Sequence, residues 1–132
     1  MKRKTIPKKV REAVYQKYDG HCAYCGKKID YKEMQVDHLI PVQRERWKKY
    51  SEEEIECFEN YTPSCRRCNH YKRAHSLEVF RKYIEEIPAK LCRDNYIYKV
   101  GLDYGLIESH EHKVKFYFEQ IGELNKATEN KR

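Results

Sequence analysis

The sequence predicts a single α+β domain, on three observations. Two Cys-x-x-Cys pairs, Cys22/Cys25 and Cys65/Cys68, stand about forty residues apart with strand-length segments between them. Apolar residues recur at helical spacing before the first pair (Val10, Val14, Tyr18) and after the second (Leu77, Phe80, Ile84, Ile87). Late in the chain, Val114, Phe116 and Phe118 alternate with Lys113, Lys115 and Tyr117, the period of a half-buried strand. At 132 residues the chain is long enough for one core but not for two independent ones. Residues 1–121 are therefore expected to form one domain around a motif core at 22–73, with 122–132, where periodicity is lost, as a flexible polar tail.

The elements follow in order. A first helix is expected over 5–18, with Thr5 as its cap, Pro7 in the first turn and Asp19-Gly20 at its end. Its other face carries Lys8, Lys9, Arg11 and Lys17, either solvated or lying along a phosphate backbone. His21 to Gly26 form a tight knuckle, where Gly26 lets the chain fold back. Residues 30–35 lead into a short strand ending near Val36-Asp37-His38, so that Asp37 and His38 point to different sides of the backbone. An extended loop leaves through Leu39-Ile40-Pro41-Val42.

Ser51 and Glu54 have capping-box spacing and predict a short acidic helix over 52–58. Its glutamates repel phosphate and are expected to face away from any nucleic acid. Tyr61-Thr62 fits a second strand, Pro63 a sheet edge or turn, and the second knuckle leads into a helix carrying Asn69, Lys72 and Arg73. Ser76 can cap the next helix, which Pro88 breaks, and a further helical piece is expected over 89–104. The tyrosines Tyr24, Tyr61 and Tyr71 are assigned to packing, since twelve tyrosines in a short chain must mostly build core.

The net charge of +7 and the crowding of Lys and Arg at 2–11 and 66–82 point to a polyanionic partner, nucleic acid first. No apolar run follows Met1-Lys2-Arg3-Lys4, and no window approaches the ~20 apolar residues of a membrane span, which predicts a soluble, cytoplasmic protein and no membrane partner. In that setting paired cysteines read as metal ligands rather than disulfides. Four thiolates suit a tetrahedral zinc ion with no open position, hence a structural one. Cys57 and Cys92 fall outside the pairs and are assigned to partial burial.

Asp37-His38 is the reactive candidate. Phosphodiester hydrolysis needs a base for the attacking water and a cation to hold the phosphate. Asp37 offers a hard oxygen for Mg²⁺, and histidine titrates near neutrality.

Together, Cys22-x-x-Cys25, Asp37-His38-x-Ile40-Pro41, Glu59-Asn60 and Thr62-Pro63-x-Cys65-x-x-Cys68-Asn69-x-x-Lys72 resemble the HNH endonuclease family in its cysteine-containing form, over residues 22–73. The resemblance implies a ββα-metal core with a structural zinc, to which the sequence adds flanking helices and a late strand. It also implies roles: His38 as general base, Asn60 as the brace of the ββ loop that orients it, and Asn69 as a metal ligand beside Asp37. Asn69 stands where the family name has histidine, and Arg73 stands where some relatives carry a third ligand, so a two-ligand Mg²⁺ site is implied. Lys72 and Arg73 follow within one helical turn as phosphate clamps. The expected function is metal-dependent endonucleolytic hydrolysis of DNA, by nicking or double-strand cleavage. The alternative is a catalytically inactive, zinc-stabilised DNA-binding or assembly module.

Overall fold

The structure, a computed structural model, describes residues 5–42 and 49–130. The basic residues at 2–4 and the last two of the expected tail lie outside the described residues. In chain order the elements are α1 (Lys8–Gln16), β1 (Gln35–His38), α2 (Glu52–Ile55), a 3₁₀ turn (Phe58–Asn60), β2 (Tyr61–Ser64), α3 (Arg66–Lys72), α4 (Leu77–Glu85), α5 (Ile87–Asp94), α6 (Tyr96–Asp103) and α7 (Tyr117–Asn130). They group into two compact units, one made of the residues up to 77 with those from 115 onward, the other of Glu78–Val114.

The first unit is built on the antiparallel pair β1 and β2, in which Gln35, Val36, Asp37 and His38 face Ser64, Pro63, Thr62 and Tyr61. Pro63 lies inside β2 rather than in a turn, which a two-stranded sheet permits because both strands are edges. Its carbonyl accepts the Ala23 amide at 2.9 Å, tying the first knuckle to the sheet. The knuckle closes through Gly26, whose φ of 81° is a left-handed conformation; a Cβ there would also meet the Tyr117 ring at 2.8 Å. Val14, Tyr24, Ile29, Met34, Ile55 and Phe116 are buried in this unit.

Several elements differ from the sequence reading. Helix α1 starts later than expected, at Lys8, with Pro7 rather than Thr5 at its cap. Two of its expected phosphate-facing cations are used internally. Arg11 donates to the Tyr31 and Met34 carbonyls, and the Lys17 ammonium donates to the Phe58 and Tyr61 carbonyls while lying 4.2 Å from the Phe58 ring centroid. Burial lowers the Lys17 pKa, with nearby Glu59 working against that shift. Lys8 and Lys9 remain exposed.

The late strand is absent among the described residues. Residues 113–116 are irregular, and α7 runs from Tyr117 to Asn130 through most of the stretch expected to be an irregular tail. The apolar alternation has another cause. Phe116 is buried, and the next two amides donate to the knuckle, Tyr117 to Tyr24 O and Phe118 to Ala23 O. Alternate side chains therefore face one surface for a few residues, after which Glu119 accepts the Phe116 amide at 2.8 Å and starts the helix.

In the second unit Phe80 is buried, Arg81 donates to the Val114 carbonyl and Glu85 accepts the Val114 amide. Pro88 sits in the first turn of α5, so it begins a helix as well as ending α4. The piece expected over 89–104 is two helices, separated at Asn95, which caps α6 through the Tyr98 amide.

Candidate functional site

The two knuckles converge. The Sγ atoms of Cys22, Cys25, Cys65 and Cys68 all lie within 4.8 Å of one another. Zinc–sulfur bonds of about 2.3 Å in a tetrahedron require sulfurs about 3.8 Å apart, and Cys25 and Cys65 stand at 3.9 Å. The chemistry of the set agrees. A hydrogen bond from Cys68 holds the Cys22 thiol down to about 4, and the same contact with burial pushes Cys68 up, so four thiolates need a cation among them. The donor set fits zinc. Cys57 and Cys92 are half-buried and stand outside it.

β1 carries Asp37 and His38 to opposite faces, as consecutive strand residues must be. On the first face, Asp37 Oδ2 accepts the Tyr24 hydroxyl at 2.5 Å and faces Lys72 Nζ at 3.1 Å. Burial and the adjacent Asp37 carboxylate push the Tyr24 phenol far up. Tyr24 is therefore a ligand of Asp37 and not packing alone.

Lys72 does not meet its expectation as a surface phosphate clamp. Its side chain is fully buried, and the ammonium also donates to the His38 carbonyl at 3.0 Å. The reason is helical phase. Lys72 stands four residues after Cys68, so both share the face of α3 turned inward, and the long apolar stem carries the charge to Asp37. Arg73, one position on and turned by about 100°, is exposed. It holds φ at 53°, a left-handed conformation costly for any residue with a Cβ. His70 is exposed and lines a cavity with Lys27, Lys28, Arg66 and Arg67. Asn69 is half-buried, three residues before Lys72 and so on the same side of α3. A carboxylate and a carboxamide are oxygen donors of the kind Mg²⁺ takes. A cation at Asp37 would share the carboxylate with Lys72.

On the second face, His38 Nε2 lies 3.0 Å from Glu56 Oε1, and the Tyr61 hydroxyl donates to Glu56 Oε2 at 3.0 Å. Tyr61 is the cross-strand partner of His38, and their rings meet edge-on with centroids 5.4 Å apart. Burial and Glu56 push the Tyr61 phenol up to about 12. Glu56, at the end of α2, was expected to turn away with the other glutamates of that segment; instead it enters the site. The capping box that starts α2 is present as expected.

Asn60 is 4% exposed and braces the loop between the strands. Its Oδ1 accepts the Ile40 amide at 2.7 Å, and its Nδ2 donates to the Ile40 and Ile55 carbonyls, each at 2.9 Å. The Asn60 carbonyl also accepts the Leu39 amide. The chain on both sides of the loop is thereby fixed just after His38 and just before Tyr61.

Glu56, Tyr24 and the inward course of Lys72 were not read from the sequence. Only the position of Lys72, four after a ligand cysteine on a helix, carried a usable signal.

The family model described as HNH endonuclease matches residues 22–75, about two-fifths of the chain. No curated protein matches the chain, and no solved structure does. No described helix is long and apolar enough to cross a membrane.

Proposed function

We propose that residues 22–75, which belong to the HNH endonuclease family, make this chain a divalent-metal-dependent endonuclease acting on DNA, with a structural zinc on its four cysteines. The observation that carries this reading is the placement of Asp37 and His38 back to back on β1, each held by a charged partner, inside the matched segment.

In this reading Asp37 and Asn69 hold Mg²⁺ or another divalent ion, which supplies positive charge to the scissile phosphate and leaving oxygen when bound. The His38 imidazole takes the proton of the attacking water. Asn60 ties Ile40 to Ile55, which holds the chain just after the histidine. Lys72 fixes the strand end through the Asp37 carboxylate and the His38 carbonyl. Arg73, exposed at the end of α3, contacts phosphate. The zinc closes the fold and takes no part in the chemistry.

Supercoiled plasmid incubated with the protein, with and without Mg²⁺ or Mn²⁺, tests the reading. Open-circle or linear product is expected only with metal. His38→Ala should lower cleavage by about 10²–10⁴-fold, the usual worth of a positioned base, with zinc content and DNA affinity retained. Binding of DNA without cleavage under any divalent ion would instead identify an inactive zinc-stabilised module.

A further inference from the structure

Among the described residues, Glu56 is a half-buried acid at the site that the nuclease reading leaves without a role. It comes from a short acidic helix, capped at Ser51, whose remaining glutamates Glu52, Glu53 and Glu54 are exposed. The chain turns at the end of α2 so that the Glu56 carboxylate lies across the cross-strand pair of His38 and Tyr61. Each oxygen has its own partner, Oε1 at His38 Nε2 and Oε2 at the Tyr61 hydroxyl, both at 3.0 Å. The side chains of His38 and Glu56 are 7% and 11% exposed, so water competes weakly for this contact.

An ionised carboxylate only accepts hydrogen bonds, so the nitrogen facing it must carry the proton. We propose that Glu56 is a positioning residue for His38: its carboxylate holds the proton on Nε2 and so keeps the lone pair of the neutral ring on Nδ1. The Tyr61 hydroxyl fixes the second oxygen and stops the carboxylate from rotating. Proton transfer then has a defined site. A water proton passes to Nδ1, and the imidazolium that forms is stabilised by the Glu56 carboxylate on its far side. The two faces of β1 thereby divide the work, with the acid that positions the base on one and Asp37 on the other.

The assignment of Nδ1 as the base rests on the nuclease reading; the tautomer does not, and the experiment separates them. Long-range ¹H–¹⁵N correlation on the zinc-loaded full chain, without Mg²⁺ or DNA, reads which His38 nitrogen carries the proton. Wild type should show Nε2–H. Glu56→Ala should give a mixture of tautomers, and Glu56→Gln, which keeps an acceptor oxygen without the charge, should retain Nε2–H. In the plasmid assay Glu56→Ala should lose about 10–100-fold, the range found when a histidine that ligates a metal loses its hydrogen-bond partner, with Glu56→Gln intermediate and DNA affinity unchanged in both. Tyr61→Phe, which keeps the ring, should lose less than Glu56→Ala. A wild-type His38 protonated on Nδ1, or a Glu56→Gln protein that cleaves at the wild-type rate with Nε2–H lost, overturns the proposal. If wild type cleaves nothing with any divalent ion, the nuclease reading fails, and the tautomer in wild type and Glu56→Gln alone decides whether Glu56 orients His38.

Discussion

Lys72 Nζ stands 3.1 Å from Asp37 Oδ2, with the lysine side chain wholly buried and the aspartate side chain 8% exposed. The candidate metal ligand therefore has a fixed positive partner supplied by the same helix that carries Cys68 and is capped by Cys65. Removing one member of such a pair strands the other charge.

Lys72→Met should consequently destabilise the domain by about 3–5 kcal/mol, the range for breaking a buried ion pair, although the replacement is apolar and of similar length. Urea unfolding of the zinc-loaded protein measures it. A loss below ~1 kcal/mol, the worth of a surface pair, would place Lys72 in solvent contact and restore its role as a phosphate clamp.

Zinc removal should unfold the first unit. Structural zinc contributes ~10–16 kcal/mol apparent in small finger peptides, against a total stability of ~5–15 kcal/mol for most domains. A strong chelator, or Cys65→Ser, should abolish the cooperative melt along with the bound metal. A melt unchanged by either treatment would rule out the thiolate site as a staple.

Arg73 combines a strained backbone with an exposed charge, so one substitution has two opposite effects. Arg73→Gly should raise stability by about 1 kcal/mol through relief of the left-handed conformation. If the guanidinium meets a phosphate, the same change should lower the salt dependence of DNA binding by about 0.9 in the log–log slope. Thermal melts and binding isotherms at several salt concentrations read the two effects separately.

Alkaline pH should weaken the fold through its tyrosines. Tyr61 is raised to about 12 by burial and by Glu56, and Tyr24 is raised further by burial and Asp37. Above the ordinary tyrosine value of about 10, the unfolded chain releases these protons while the native state keeps them, so stability falls as pH rises. The Tyr61 share is fully present below pH 10 and lost between 10 and about 12. Urea midpoints at stepped pH should show a shallower decline in Tyr61→Phe than in wild type.

The sequence alone determined what short-range chemistry fixes. Paired cysteines at knuckle spacing, Ser51 and Glu54 three apart, and Asp37 next to His38 on an extended segment each carry their consequence in local geometry, and the structure has the thiol cluster, the capping box and the two-faced strand. Asn60 as the brace of the loop came from family resemblance, and its hydrogen bonds to Ile40 fit that role. Where local pattern had two solutions, the sequence chose wrongly. Alternation at 113–118 served a short extended contact with Tyr24 and Ala23 before a helix, not a strand, because a strand also needs a partner and pattern does not supply one.

Charge was the least legible feature, since a Lys or Glu in sequence does not reveal whether its long stem ends in water or in the core. Tertiary structure decided that Lys17 binds the Phe58 and Tyr61 carbonyls, that Lys72 goes to Asp37, and that Glu56 lies on His38 and Tyr61. These choices depend on which buried polar groups lack partners once the sheet and knuckles have closed, and burying such a group unpaired costs more than ordering the side chain that satisfies it.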